Sequence, residues 1–245
     1  MGQPIKPEIS RSRWRGFYKL GGVAALVIAA LLIGEIVVYA VLPRASTALE
    51  HFTIFRDNWL AGLLTFDLLG MIAYLLFVPL AIALYVALRR TGDAVMAIGT
   101  VLFFIGIAAF FATNTAFSIL SLSQQYAAAT TDAERAVFLA AGQTMLTLFN
   151  ENAFLVSYVI VSAAWVMISS VMLKSSIFNR ITAYAGILAG AAGIVAVVLE
   201  HASATQAVLI FSISFYFAAI VFLFVWVVLA GLRLYHLGSN CTAGL

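Results

Sequence analysis

Read for hydrophobic and polar positions, the chain is a series of long apolar runs separated by shorter polar stretches. Six runs stand out: Leu20 to Leu42, Trp59 to Leu88, Ala94 to Leu122, Asn152 to Leu173, Ile181 to Leu199 and Ala207 to Leu232. Each is close to or beyond the roughly 20 residues an α-helix needs to cross about 30 Å of hydrocarbon. The pattern predicts an all-α fold, a polytopic bundle of six transmembrane helices. The second run is interrupted only by one acid, Asp67, and one proline, Pro79. It is expected to form one spanning helix, kinked in its inner half where Pro79 leaves the Leu75 carbonyl without a helical partner. The kink serves either packing or hinge motion.

The connections differ in character. Pro43 to Asn58 carries Glu50, His51, Arg56 and Asp57, and Tyr126 to Glu151 is longer. In the latter, Thr131 and Glu134 have the spacing of a capping box, and Val137, Phe138, Met145, Leu146 and Phe149 recur at roughly helical intervals. An additional amphipathic outer helix is therefore expected between spans 3 and 4. It either lies along the membrane surface or runs into the fourth span through Asn150-Glu151-Asn152.

Composition fixes the class. Of 245 residues, 64% are hydrophobic and 9% charged, against about 25% charged in soluble domains. This is an integral membrane protein whose first partner is the lipid bilayer. The net charge of +3 does not point to nucleic acid, because the basic residues sit in short tracts beside the apolar runs. Placing the N-terminus in the cytoplasm puts ten of them inside: Lys6, Arg11, Arg13, Arg15, Lys19, Arg89, Arg90, Lys174, Arg180 and Arg233. Only Arg44, Arg56 and Arg135 remain outside. That asymmetry obeys the positive-inside rule. The expectation is a multi-pass cell-membrane protein with both termini cytoplasmic: a basic segment (1–19), one six-helix domain (20–232) and a short tail (233–245). The first run is longer than a signal-peptide core and reads as an uncleaved helix. The single cysteine, Cys241, rules out an intrachain disulfide and thiolate metal clusters.

Candidate chemistry lies on one side. A charge in hydrocarbon costs at least a few kcal/mol, so acids inside spans are functional suspects. Glu35, about seven residues before the outer end of span 1, falls about 10 Å deep. Asp67 and Asn114, each about eight residues from the outer ends of spans 2 and 3, fall about 12 Å deep. Asn150, Glu151 and Asn152, and then Glu200 and His201, stand at the outer ends of spans 4 and 5, whereas the inner halves carry little more than serine. The candidate ligand-binding residues are Glu35, Asp67, Asn114, Asn150, Glu151, Asn152 and His201, lining a cavity open to the outside and closed below. The competing reading makes Asp67 and Asn114 an interhelical hydrogen-bonded pair. Small residues at Ala185, Gly186, Ala189, Gly190 and Gly193 mark a close-packed face on span 5, used within the bundle or in a homodimer.

Catalysis is less well served. The three histidines, His51, His201 and His236, fall on two faces of the bilayer, so a three-histidine zinc site is excluded. Phosphate-binding glycine loops and facing histidine pairs for haem are absent, Glu35, Asp67, Glu200 and His201 lack metal-ligand spacing, and the sequence leaves any cofactor open.

FRDNWLAGLLTFDLLGMIAYLLFVPLAIALYVALRR and AERAVFLAAGQTMLTLFNENAFLVSYVIVSAAWVMISSVMLKSSIFNR, within about Leu20 to Leu232, resemble a bacterial six-pass membrane family catalogued as domain of unknown function 4386. The features that carry the resemblance are Asp67, the Pro79 to Tyr85 segment, Asn150 and the Lys174 to Phe178 turn. The resemblance implies the topology and no reaction. The residues themselves favour binding or sensing of a small or lipidic ligand, alone or as a subunit of a larger assembly. A small proton-coupled transporter using Asp67 and Glu35 is the alternative, and an intramembrane hydrolase the third reading.

Overall fold

A computed structural model describes residues 14–43, 45–149, 154–202 and 206–239. Asn150, Glu151 and Asn152 lie outside the described residues. Among the described residues ten helices follow in order: α1 (Arg15–Val41), α2 (Ala48–Asp57), α3 (Trp59–Thr65), α4 (Leu68–Leu88), α5 (Asp93–Thr113), α6 (Ala116–Ala128), α7 (Asp132–Thr147), α8 (Phe154–Lys174), α9 (Arg180–Ala202) and α10 (Gln206–Ser239). Six segments of the described residues are long and apolar enough to cross a membrane: α1, α4, α5 with α6, α8, α9 and α10. The protein is a multi-pass all-α bundle.

The spans close into a ring, with α1 against α4, α4 against α5, α5 against α8, α8 against α9, α9 against α10, and α10 back against α1. Both ends of the ring-closing pair lie on one face: Arg15 Nε donates to the Gly238 carbonyl at 2.8 Å, and Arg233 Nε to the Ile177 carbonyl at 2.6 Å. This end is the terminal face, and the opposite end is the cap face. Close approaches tighten the ring. A Cβ at Gly190 of α9 would fall on the Ser162 carbonyl of α8, and Gly186 and Gly193 also face α8, so this small-residue stripe packs inside the chain. Toward the terminal face the centre is filled by Phe77, Phe103, Trp165 and Trp226, which meet edge-on at 5.5 to 6.5 Å within a continuous apolar core. Each such aromatic pair adds about 0.5–1.5 kcal/mol beyond its burial.

Two expected spanning helices are broken. The run from Trp59 divides at Phe66 and Asp67: Asp67 adopts φ 75° and ψ 31°, the left-handed conformation that ends one helix and redirects the next. The run from Ala94 divides at Asn114 and Thr115, where Asn114 Oδ1 accepts from the Ala116 N–H at 3.1 Å and Thr115 Oγ1 donates to the Met145 carbonyl of α7 at 3.2 Å. Length explains why breaks fall there. Helices α4 and α5 have 21 residues each, about 32 Å at 1.5 Å per residue, and already fill the hydrocarbon. Asp67 and Asn114 therefore stand at the ends of α4 and α5 that face the cap. Through Pro79, α4 remains helical.

The residues beyond the breaks build a cap that the apolar runs concealed. Helices α2, α3, α6 and α7 share a second core of Ala48, Phe52, Phe55, Leu63, Phe66, Ala116, Ile119 and Leu146. The connection from Pro43 to Asn58, for which the sequence suggested no element, holds α2, started by a full capping box in which Thr47 Oγ1 accepts from the Glu50 N–H at 3.3 Å and Glu50 answers on the Thr47 N–H at 3.2 Å. Thr131 and Glu134 form the same box on α7, which packs on α6 and α2. At the far end α10 continues through Ser239, past the expected end at Leu232.

Candidate functional site

Between the cap and the aromatic core lies a cavity of about 600 Å³. Stripes of one face from several helices line it, at the three-, four- and seven-residue steps that return to one side of a helix. Helix α1 contributes Leu32, Glu35, Val38 and Tyr39 with Leu42 just past its end, and α4 contributes Gly70, Ala73, Tyr74 and Phe77 with Asp67 just before its start. Tyr158 and Trp165 come from α8, Glu200 and His201 from α9, and Tyr216, Ile220 and Leu223 from α10. The cap closes over it with His51, Phe66, Leu146 and Phe149. Phe66 touches both neighbours, with ring centroids 5.1 Å from His51 and 4.8 Å from Phe149.

Each polar group has a distinct setting. The left-handed turn at Asp67 folds its carboxyl back over Gly70, so closely that a Cβ at residue 70 would collide with it. The carboxyl faces the Gly70 amide without completing a cap bond. Glu35 lines the same cavity as Asp67. Tyr74 stacks on Phe110 at 4.0 Å and has the Ser157 hydroxyl as a partner, while Ser157 donates to the Gly106 carbonyl at 2.9 Å. At the rim, Tyr216 donates to Glu200 at 2.6 Å, and His201 Nδ1 pairs with the Val197 carbonyl at 3.0 Å, which places the proton on that nitrogen. His51 is 8% exposed and its Nδ1 has no partner. Burial holds it below the ordinary imidazole value, with the Glu50 charge opposing. Trp165 is 4% exposed, and its indole N–H is also unpartnered.

Of the residues singled out in the sequence, Glu35, Asp67 and His201 reach this cavity. Asn114 does not line it; its Oδ1 is taken by Ala116 and its Nδ2 has no partner, so it makes no hydrogen-bonded pair with Asp67. The reading missed His51, Tyr39, Tyr74, Tyr158, Tyr216 and Trp165. A signal for two of them was present: Tyr74 stands seven residues after Asp67 and Trp165 seven after Tyr158, each on the same helical face. His51 required recognition of the Thr47-x-x-Glu50 capping box, which turns its loop into a helix.

Chemically, the cavity joins an apolar floor and walls to a polar upper part. Among the described lining residues are the carboxyls of Glu35, Asp67 and Glu200 and no lysine or arginine. No group of three or more His, Cys, Asp or Glu side chains gathers in metal-holding geometry among the described residues. A smaller hollow of about 280 Å³ lies at the terminal face beside Asn179, Thr182 and Arg233.

Fold and site together define a multi-pass membrane protein with a capped internal cavity. The chain belongs to the family described as "Domain of unknown function (DUF4386)", whose profile matches residues 20–234. Comparison with curated proteins and with solved structures returns no match.

Proposed function

We propose that the protein binds a single amphipathic molecule, lipidic or lipid-derived, in the cavity beneath the cap, and serves as a binding or sensing component of the cell membrane. The cavity itself carries this reading: its volume lies within the roughly 300–1,000 Å³ of small-molecule sites. Its polar groups collect toward the cap over an apolar floor, which suits a molecule with a head and a tail. The charge asymmetry supports a cap face outside and both termini in the cytoplasm, since Arg15, Lys19, Arg89, Arg90, Lys174, Arg180 and Arg233 all border the terminal face. A partner subunit would receive the signal of occupancy.

The test is native mass spectrometry of the full chain extracted with its membrane lipids, beside the Ala73→Phe variant. Ala73 is 5% exposed and lines the cavity, so phenylalanine there fills it. The expected result is a discrete retained mass on the wild type that the variant lacks at equal helicity. The same adduct profile on both would remove the reading.

A second reading, proton-coupled transport, is favoured by one observation. Below the floor, the buried Ser169 hydroxyl and the Trp226 indole N–H have no partners. Buried polar groups of this kind are commonly satisfied by water. A file of waters there would extend the cavity toward the terminal face. Unchanged uptake in proteoliposomes carrying Asp67→Asn would dismiss it. Nothing in the described site favours the hydrolase reading.

A further inference from the structure

We infer that the polar end of the ligand is a protonated amine, so that the cavity selects a lipophilic ammonium compound over neutral or anionic amphiphiles. The inference rests on the amphipathic-ligand reading and adds the charge of the head. Glu35 and Asp67 both line this space, and no lysine or arginine stands among its described lining residues. Carboxylates gathered in a low-dielectric space are costly without a counter-charge, and an entering cation relieves that cost.

An independent observation comes from the roof. His51, 8% exposed, lines the roof of the cavity, and its Nδ1 has no hydrogen-bond partner. Neutral imidazole has one acceptor nitrogen, and in the tautomer protonated on Nε2 that acceptor is Nδ1. An ammonium N–H is the donor it lacks. Aromatic faces complete the setting, because Tyr74, Tyr158 and Tyr216 border the same space and attract cations through their ring quadrupoles. An anionic head would meet these carboxyls as like charges.

The experiment titrates the full chain in phosphatidylcholine nanodiscs with dodecylamine, dodecanol and dodecyl sulfate, which share a tail and differ in head charge. Tryptophan fluorescence is the readout, with Trp165→Phe and empty nanodiscs as blanks for signal not arising at the cavity floor. Dodecylamine is expected to bind at least tenfold more tightly than either analogue. Glu35→Gln and Asp67→Asn are each expected to weaken dodecylamine at least tenfold, and by more than they change dodecanol. Equal or tighter binding of dodecanol or dodecyl sulfate to the wild type overturns the amine inference and leaves the cavity reading standing. Absence of any floor signal from all three overturns both. The comparison of heads on the wild type needs no variant, so poor folding of a substituted chain does not blunt it.

Discussion

Replacing Asp67 with glycine and with alanine tests the helix break on which the cavity depends. At φ 75° and ψ 31°, residue 67 is close to the left-handed minimum near +57°, +47°. A residue with a Cβ pays about 1–2 kcal/mol there, aspartate and asparagine less, and glycine almost nothing. Asp67→Gly is therefore expected to be about 1–2 kcal/mol more stable than Asp67→Ala. In an uninterrupted helix from Trp59 to Leu88 the order reverses, with glycine about 1 kcal/mol worse than alanine. The sign of the difference separates the two backbones across a range of about 2–3 kcal/mol. Both variants lack the carboxyl, so its own contribution cancels in the comparison. The assay is equilibrium unfolding in mixed micelles of increasing denaturing-detergent fraction, followed by circular dichroism. Alanine equal to or more stable than glycine would refute the break.

Other outcomes follow from the same packing. Gly190→Ala drives a methyl group into the Ser162 carbonyl and should cost about 1–3 kcal/mol in the same assay, as overpacking does. Phe52→Ala, at a site 2% exposed in the cap core, should cost about 3–5 kcal/mol; hydrogen exchange should quicken in α2, α3, α6 and α7 while the amides of α8 and α9 keep their protection. The pH dependence of stability has two windows. His51, neutral and below its ordinary 6.5 because of burial, contributes fully above 6.5 and progressively less as pH falls below it. Glu50 is held below its ordinary 4.5 mainly by the Ser46 backbone N–H, and Glu134 by that of Thr130, so their contributions persist above 4.5 and fade as pH falls through the lowered values. Melting curves of His51→Gln should lose the first window and keep the second.

What the sequence yielded and what it hid have the same physical origin. Apolar length signals a span plainly, and the six spanning segments fall close to the expected runs. Length could not show where a run leaves the bilayer, because the cap helices use phenylalanine, leucine and isoleucine as the spans do: Leu63 and Ile119 belong to the cap core, yet each lies inside an apolar run. The breaks at Asp67 and Asn114 depend on backbone conformation, which residue type biases but does not fix. Asp67 was legible as an acid out of place, and the cavity gives it a location beside Glu35. Asn114 was equally conspicuous and turned out to cap a helix, since matched depth says nothing of angular position. The tyrosines and Trp165 were hidden for the opposite reason, being ordinary residues for a membrane helix until the ring brings their stripes together.

A cavity that lies under the cap with Trp165 at its floor should be reached only from the cap side. Leu223 borders it at the depth of the floor, and Cys241 is the single native cysteine. The direct measurement is modification of Leu223→Cys, in a Cys241→Ser background, by a membrane-impermeant thiol reagent applied to each side of sealed vesicles. The account expects reaction from the cap side alone. Reaction from the terminal side, or from neither, would contradict it.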